Sequence, residues 1–107
     1  MSFALTAKPG SIRLESNHIL FATLKDTAGR EVASSMDLDK HIENVNGSLA
    51  WDSGAFSRSA NVVDLDLSGF PEQVLLVALL EKEDGSSAQS HLNLNERIAN
   101  MNGHLEF

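Results

Sequence analysis

The chain has no cysteine, so neither a disulfide nor a thiolate metal site can form. It has no tyrosine, one tryptophan and five phenylalanines, too few rings for a stacking platform on single-stranded nucleic acid. Basic residues are also scarce, because eight lysines and arginines stand against fifteen aspartates and glutamates, for a formal net charge of −7. Nucleic acids and anionic membranes select basic patches, so we expect neither as a partner.

Long apolar segments are missing too. The longest nearly unbroken apolar stretch, Val74 to Leu80, is far too short to span a bilayer. Residues 1–10 contain no long apolar run behind a basic segment, so the sequence shows no secretory signal peptide. We therefore expect an intracellular protein, with an unconventional secretion route as the alternative.

Motifs for metal binding and catalysis are absent as well. The four histidines have no ligand spacing such as H-E-x-x-H, and neither Asp37 with Asp39 nor Asp64 with Asp66 begins an EF-hand loop. No serine lies in a G-x-S-x-G elbow. Paired carboxylates are plentiful, but nothing singles out two of them as the acid and base of a glycosidase. We predict a non-enzyme with no metal, cofactor or catalytic residue.

The chain contains an internal sequence repeat. Residues 37–51 and 93–107 are identical at six of fifteen positions, with an offset of 56 residues. The identical pairs are Leu38/Leu94, Ile42/Ile98, Asn44/Asn100, Asn46/Asn102, Gly47/Gly103 and Leu49/Leu105. Half-chains of about 50 residues are marginal as independent folders. We therefore expect the two repeats to pack together or exchange segments, since a solenoid needs at least three repeats.

The hydrophobic pattern has mostly a period of two, which predicts a β-rich fold. Alternation predicts half-buried strands over 12–15 and 63–67, and apolar runs predict central strands over 19–24 and 74–80. Each central strand leads into a turn, at Gly29 or Gly85, and then into a return strand over 31–36 or 87–92.

A short helical turn is predicted later in each repeat. We expect Asp39 and Asn95 to cap these turns, and the Asn-Gly pairs at 46–47 and 102–103 to end them. We also expect Trp51 and Phe107, which end the two repeats, to fill the two cores.

These residues resemble the cyanovirin-N homology family. The likeness rests on the paired motif I-x-N-x-[DN]-G-x-L at 42–49 and 98–105, with Phe3 and Thr6 opening one repeat and Phe56 and Ser59 the other. It implies a mostly β, cyanovirin-N-like fold with two pseudo-symmetric lobes, exchanged segments and short helical turns. The implied division is 1–40 plus 97–107 for a terminal lobe and 41–96 for a middle lobe. A monomer is expected, with a domain-swapped dimer as the alternative.

The founding family member carries two disulfides, which this chain lacks. By resemblance the cysteine positions fall on Ala7 and Leu24, and on Ala60 and Leu80. We expect each small residue to contact its large apolar partner in a buried position.

The resemblance also implies one shallow pocket per lobe for mannose-type glycans, typically α1-2-linked dimannose. The residues that match the terminal-lobe pocket, which we favour, are Ser2, Thr6, Lys25, Thr27, Asn100, Met101 and Asn102. Those that match the middle-lobe pocket include Glu43, Asn44, Asn46, Arg58, Ser59, Lys82 and Glu83. Arg58 and Glu83 stand where the family has Glu and Arg, so an ion pair of reversed order is expected between them.

Local structure offers another explanation for several of these residues. Asn44 and Asn100 lie beside turns, where asparagine is favoured for local reasons, and Asn46 and Asn102 precede glycine. For the first pair a structural role and a pocket wall are equally supported, whereas turn chemistry is favoured for the second.

The sequence therefore predicts a non-enzymatic lectin for mannose-containing oligosaccharides or glycoproteins. The alternative is a protein-interaction or storage module that keeps the fold with little or no sugar affinity. Substituted pocket positions motivate this alternative, namely Lys25, Gly54, Ala55 and Arg58.

Overall fold

Ten short strands and four 3-10 turns make up residues 3–107, which the computed structural model describes. The strands are β1 (Arg13–Glu15), β2 (Ile19–Lys25), β3 (Glu31–Asp37), β4 (Ile42–Val45), β5 (Ser48–Trp51), β6 (Ala60–Asp66), β7 (Leu75–Glu81), β8 (Ser87–Asn93), β9 (Ala99–Met101) and β10 (His104–Glu106). The 3-10 turns are Phe3–Thr6, Leu38–Lys40, Phe56–Ser59 and Leu94–Glu96. Within residues 3–107, no helix has the length and apolar character needed to cross a membrane.

The strands form two antiparallel sheets of the same design. One sheet has the order β1-β2-β3, the other has the order β6-β7-β8, and two hairpins, β4–β5 and β9–β10, stand beside them. The alternating patterns and the apolar runs therefore predicted these sheet strands correctly. The mostly β fold built from two equivalent halves is confirmed.

The central strands β2 and β7 explain how the sequence builds the core. Both strands show the same alternation of buried and half-buried residues, because successive side chains of a strand point to opposite faces of the sheet. The side chains on the inner faces are Leu20, Ala22 and Leu24 in β2, and Leu76, Ala78 and Leu80 in β7. The period of two thus places matching apolar rows in one hydrophobic core.

Each hairpin packs on the sheet of the other repeat. Hairpin β4–β5 lies against β8, where the Leu49 N–H donates to Ser90 Oγ at 3.1 Å. Hairpin β9–β10 lies against β3, where the Leu105 N–H donates to Ser34 Oγ at 3.0 Å. The predicted exchange of segments is confirmed. The residue-level division into 1–40 plus 97–107 and 41–96 stays a prediction, because these contacts do not mark where a lobe ends.

Phe3 and Phe56, at the start of the repeats, are the aromatic side chains that fill the core, and both are fully buried. The prediction that Trp51 and Phe107 fill the two cores is wrong for Phe107, whereas Trp51 packs against the edge of the core. Trp51 is half-buried and Phe107 is 41% exposed. The ends of both repeats meet at one junction, where the two rings lie 5.6 Å apart and Phe107 also stacks on His41 at 4.3 Å.

The Asn-Gly pairs do not end helical turns, as the sequence suggested, but join the strands of the two hairpins. Asn46 and Gly47 have φ values of 47° and 92°, and Asn102 and Gly103 have 54° and 89°. Two consecutive residues with positive φ are typical of the type I′ hairpin turn, which matches the twist of the flanking strands. The preference for turn chemistry at Asn46 and Asn102 is therefore confirmed.

The predicted caps Asp39 and Asn95 are also wrong, because each 3-10 turn begins two residues earlier than expected. The capping side chains belong to Asp37 and Asn93, whose Oδ1 atoms accept the N–H groups of Asp39 and Asn95 at 3.0 and 3.1 Å. The cap binds only the backbone N–H of Asp39 or Asn95, so the side chain of each can form hydrogen bonds outside its own turn.

Asp39 and Asn95 use their side chains to link the two repeats. Asp39 accepts hydrogen bonds from the N–H and hydroxyl of Ser57. Asn95 is buried, accepts the N–H of Ala4 at 3.2 Å, and donates to the carbonyls of Pro71 and Glu72 at 2.9 and 3.1 Å. Equivalent positions therefore use different chemistry, since only the amide can donate.

The positions that match the missing cysteines are cross-strand neighbours. Ala7 and Leu24 form a β-bridge and are both buried, as predicted. Ala60 faces Leu80 across β6 and β7, where Leu80 is fully buried but Ala60 is only half-buried. The contact is therefore confirmed for both pairs, and full burial for the first.

We expect Leu24→Ala and Leu80→Ala each to lower the free energy of unfolding by ~2–5 kcal/mol, because each removes a fully buried side chain and leaves a cavity. Urea titration of each variant gives the value. Val62→Thr is the control, since Val62 is 60% exposed and a surface change typically stays within about 0.5 kcal/mol. Losses as small as the control's would contradict the packing described for both pairs.

We also expect Asn95→Asp to destabilise the fold by about 1–3 kcal/mol, the range for an unsatisfied buried group. The carboxylate keeps an acceptor for the Ala4 N–H but cannot donate to the carbonyls of Pro71 and Glu72. Asn61→Asp makes the same change at an exposed position and serves as the control. Equal urea midpoints for the two variants at pH 7 would show that the hydrogen bonds from Asn95 to the two carbonyls do not stabilise the fold.

Candidate functional site

Asn100 in β9 is the centre of the terminal-lobe site. Its amide Nδ2 donates to Thr6 Oγ1 and to the Lys25 carbonyl, both at 2.8 Å. Its Oδ1 accepts the Gly103 N–H at 2.7 Å. One side chain therefore fixes the β9–β10 hairpin against the first 3-10 turn and the end of β2.

The turn between β2 and β3 forms the other wall of this site. The N–H and the hydroxyl of Thr27 both donate to Asn102 Oδ1, each at 3.0 Å. Asp26 holds the turn, because its Oδ1 accepts the N–H groups of Ala28 and Arg30, each at 2.9 Å. The Arg30 N–H is the main cause that keeps the pKa of Asp26 below its ordinary value, so the carboxylate stays charged through the neutral range.

The middle lobe repeats this arrangement around Asn44 in β4. The Asn44 amide donates to Ser59 Oγ at 2.8 Å and to the Glu81 carbonyl at 2.7 Å. Its Oδ1 accepts the N–H of the turn glycine at 2.7 Å, and Asn46 Oδ1 accepts the Glu83 N–H at 3.0 Å. Two sites of one backbone design therefore lie in the molecule.

The adjoining β7–β8 turn is held by its own carboxylate. Asp84 Oδ1 accepts the hydroxyl and the N–H of Ser86 at 2.6 and 2.9 Å. The Ser86 hydroxyl is the main cause that lowers the pKa of Asp84 below its ordinary value. Both turns that carry site residues are thus fixed by charged side chains.

Most of the predicted terminal-lobe residues come together. Thr6, Lys25, Thr27, Asn100 and Asn102 are joined by the hydrogen bonds above. Met101 lies between two of them at the hairpin tip and is 59% exposed, whereas Ser2 lies outside the described residues.

The predicted middle-lobe residues fall into two groups. Asn44, Asn46, Ser59 and the backbone of Glu83 form the network. The stem of Lys82 covers the hairpin turn, since a Cβ built at the turn glycine would lie 2.8 Å from Lys82 Cγ.

Glu43 and Arg58 stay outside this network. Strand alternation places Glu43 on the face of β4 opposite to Asn44. The ion pair expected between Arg58 and Glu83 does not form, because across residues 3–107 the Arg58 guanidinium has no carboxylate within 4.0 Å. Arg58 lies on the Phe56–Ser59 turn, whereas Glu83 follows β7 and turns its N–H towards Asn46.

Both interpretations of the asparagines have support in this geometry. Asn44 and Asn100 use both amide hydrogens within the protein, so they hold the walls and cannot donate to a ligand. Asn46 and Asn102 use Oδ1 alone for their hydrogen bonds among residues 3–107, which leaves each NH₂ group for a ligand.

The two sites differ in charge although they share a backbone design. Position 25 carries lysine where the middle lobe has Glu81, and position 27 carries threonine where it has Glu83. All four side chains are exposed. The terminal site therefore offers mainly neutral groups and a cation, whereas the middle site offers carboxylate acceptors.

Sequence reasoning missed two groups of residues. Ser34 and Ser90 hold the hairpins on the sheets, and their separation of 56 residues was the signal that marks them as equivalent. His18 Nδ1 lies 2.7 Å from Asp37 Oδ1 and 3.6 Å from Asp39 Oδ2, a proximity that sequence spacing does not show. His18 donates to Asp37 as one of the contacts that lower the pKa of that carboxyl against the opposing effect of its burial.

Comparison with known proteins gives relatives over the whole chain. The family model of the CVNH domain matches residues 3–106. A cyanovirin-N homolog of Neurospora crassa is 32% identical, with 99% of this chain and 97% of that protein covered. The NMR structure of the Gibberella zeae CVNH protein is 38% identical, covers 98% and 95% of the two chains, and has a TM-score of 0.88.

Two more distant structures share the fold. Microvirin, solved as a complex with mannobiose, is 24% identical with a TM-score of 0.85, and 99% and 97% of the two chains are covered. A MoCVNH3 variant in complex with (N-GlcNAc)4 is 20% identical with a TM-score of 0.83, and 97% and 95% are covered. The family match, the relatives and the doubled site agree, and we conclude that the chain belongs to the CVNH family, the carbohydrate-binding, non-enzymatic cyanovirin-N homologues.

Proposed function

We propose that this protein binds mannose-type oligosaccharides, α1-2-linked mannose first, mainly through the terminal-lobe site. The observation that carries the proposal is the fixed pair of Thr27 and Asn102 beside Thr6. These side chains are exposed, yet their positions are set by hydrogen bonds within the protein. A site whose groups are already ordered loses less conformational entropy when a ligand binds.

The free hydrogen-bonding capacity of this site suits a saccharide. Thr27 Oγ1 donates to Asn102, so both of its lone pairs remain for the hydroxyl hydrogens of a sugar. The Asn102 amide and the Lys25 ammonium supply donors for the hydroxyl oxygens. Since every sugar hydroxyl both donates and accepts, a mixed set of this kind is what recognition requires.

The complexes of structural neighbours support carbohydrate binding as the general function. Microvirin was solved with mannobiose and the MoCVNH3 variant with (N-GlcNAc)4, so proteins of this fold bind two kinds of saccharide. We place mannose first for this chain because Thr6, Thr27 and Asn100 keep the family pattern for dimannose. The alternative remains an interaction or storage module, in which the substituted positions leave too few contacts for a sugar.

We expect α1-2-mannobiose to shift the backbone amide resonances of Thr6, Thr27 and Asn100 in a titration of the 15N-labelled protein. The dissociation constant should lie between micromolar and millimolar, roughly −8 to −4 kcal/mol, because lost hydration offsets much of each new hydrogen bond. (GlcNAc)4 serves as the comparison ligand and should bind more weakly.

The titration also separates the alternatives. Shifts confined to Asn44, Ser59 and Glu83 would place the sugar in the middle lobe. A tighter response to (GlcNAc)4 would replace mannose with N-acetylglucosamine as the ligand. The absence of shifts at millimolar concentrations of either sugar would favour the interaction module.

Thr27→Val should weaken terminal-lobe binding about two- to tenfold, the range for one lost hydrogen bond. The isosteric change removes the hydroxyl but keeps the backbone N–H that holds Asn102. Glu83→Gln is the matched control at the equivalent middle-lobe position and should leave terminal-lobe binding unchanged. An equal loss in both variants, measured by the same NMR titration, would argue against a ligand contact at Thr27.

A further inference from the structure

We propose that the terminal site prefers mannose-type oligosaccharides that carry an anionic ester, a phosphate or a sulfate, and that Lys25 and Lys8 select this group. The inference rests on the proposed function and names the ligand class of the same site. Three observations support it: a groove beside the site, the carboxylate partners of the two lysines in that groove, and the contrast with the middle lobe.

A groove of about 430 Å³ borders the terminal site. Thr6 and Lys25 line it and also belong to the hydrogen-bonded network around Asn100, so the site and the groove share a wall. Pro9 and Leu5, which is 59% exposed, add apolar surface. A sugar held at Thr6 therefore has space on this side for a further substituent.

The ammonium groups of the two lysines in the groove are only weakly engaged by carboxylates. Over residues 3–107, Lys25 has no carboxylate within 4.0 Å of its ammonium. Lys8 pairs with Glu31 at 3.6 Å, but the two side chains are 58% and 50% exposed, and such surface pairs are worth little. Glu31 pairs with Lys8 and also stands opposite Lys25 across β2 and β3, so the groove carries two positive charges and one negative charge.

The middle lobe lacks this arrangement. Glu81 stands at the position equivalent to Lys25, Asn61 follows the Ser59–Ala60 pair as Lys8 follows Thr6 and Ala7, and the neighbouring Glu83 adds a second carboxylate. The middle lobe sets Arg58 and Lys82 against Glu81 and Glu83, whereas the terminal groove sets two lysines against Glu31 alone. The local charge therefore favours an anionic ligand at the terminal site.

The acidic character of the whole chain does not oppose this preference strongly. The formal net charge is −7, but salt screens exposed charges beyond about 8–10 Å at physiological ionic strength. The nearest charges therefore decide the local attraction, and in the groove these are two lysines and one glutamate.

The test compares ligands that differ only in the ester. The 15N-labelled protein is titrated with α-methyl mannoside, its 6-phosphate, its 6-sulfate and inorganic phosphate, and the amides of Thr6 and Thr27 are followed. We expect both esters to bind about fivefold more tightly than the neutral sugar in low salt, the scale of one exposed ion pair. In 0.5 M NaCl this preference should shrink below about twofold, because the charges are screened.

Lys25→Gln should abolish most of the preference for the esters, measured within the variant as the ratio of ester affinity to neutral-sugar affinity. Lys40→Gln removes the same charge from an exposed position outside the groove and should keep the preference. A preference that survives in Lys25→Gln overturns the role of this lysine.

The remaining outcomes separate this inference from the proposed function. Equal affinity for esters and neutral sugar overturns the anionic preference while the mannose lectin stands. Failure of the neutral sugar and of mannobiose to bind refutes the lectin itself. If inorganic phosphate shifts the same amides as tightly as the 6-phosphate, the groove recognises an anion and not a saccharide. A response to one ester alone identifies the anionic group.

Discussion

One side-chain amide in each repeat, Asn44 or Asn100, determines how the molecule is assembled. Each amide makes three hydrogen bonds that join its own hairpin turn to a 3-10 turn and to the end of a central strand of the other repeat. Since the partners lie up to 94 residues apart in the sequence, the bonds of Asn100 close loops that span most of the chain. The candidate sites exist because this junction brings turn, hairpin and strand end to one place.

The assembly around these amides keeps its symmetry where packing requires it and departs from it elsewhere. In the core, Phe3 is equivalent to Phe56 and Leu24 is equivalent to Leu80. All four are fully buried, because the two repeats have the same backbone fold. At the repeat contact, Asp39 accepts the N–H of Ser57 and its counterpart Asn95 accepts the N–H of Ala4, but only Asn95 also donates, to two carbonyls of its own repeat. A carboxylate has no hydrogen to donate, so the chemistry of each contact fixes which residue can stand there.

The departure from symmetry is greatest at the surface of the two sites. Buried positions are constrained by volume and hydrogen bonding, whereas exposed side chains such as Lys25 and Glu81 are constrained by neither. One fold thus presents different sets of charged groups at two sites on equivalent backbones. Two equivalent pockets in one chain are free to serve different ligands, because changing an exposed charge costs the fold little.

Patterns along the chain were enough to predict the sheet strands and the repeat. The alternation in β2 and β7 was predictable because a period of two is a local property, whereas the Ala7–Leu24 pair was predicted from the resemblance to the family. Asparagine followed by glycine likewise marked both hairpin tips, although the sequence suggested helix ends there.

The remaining features, namely the contacts between the repeats and the composition of the groove, came from the tertiary fold. Phe107 became a surface ring, Asp39 and Asn95 became links between repeats, and Arg58 was left without Glu83. The groove beside Thr6 joins residues 5–9 to Lys25 and Glu31. These features depend on how each hairpin docks on the other repeat, and that geometry is set by contacts between distant residues that no local pattern records.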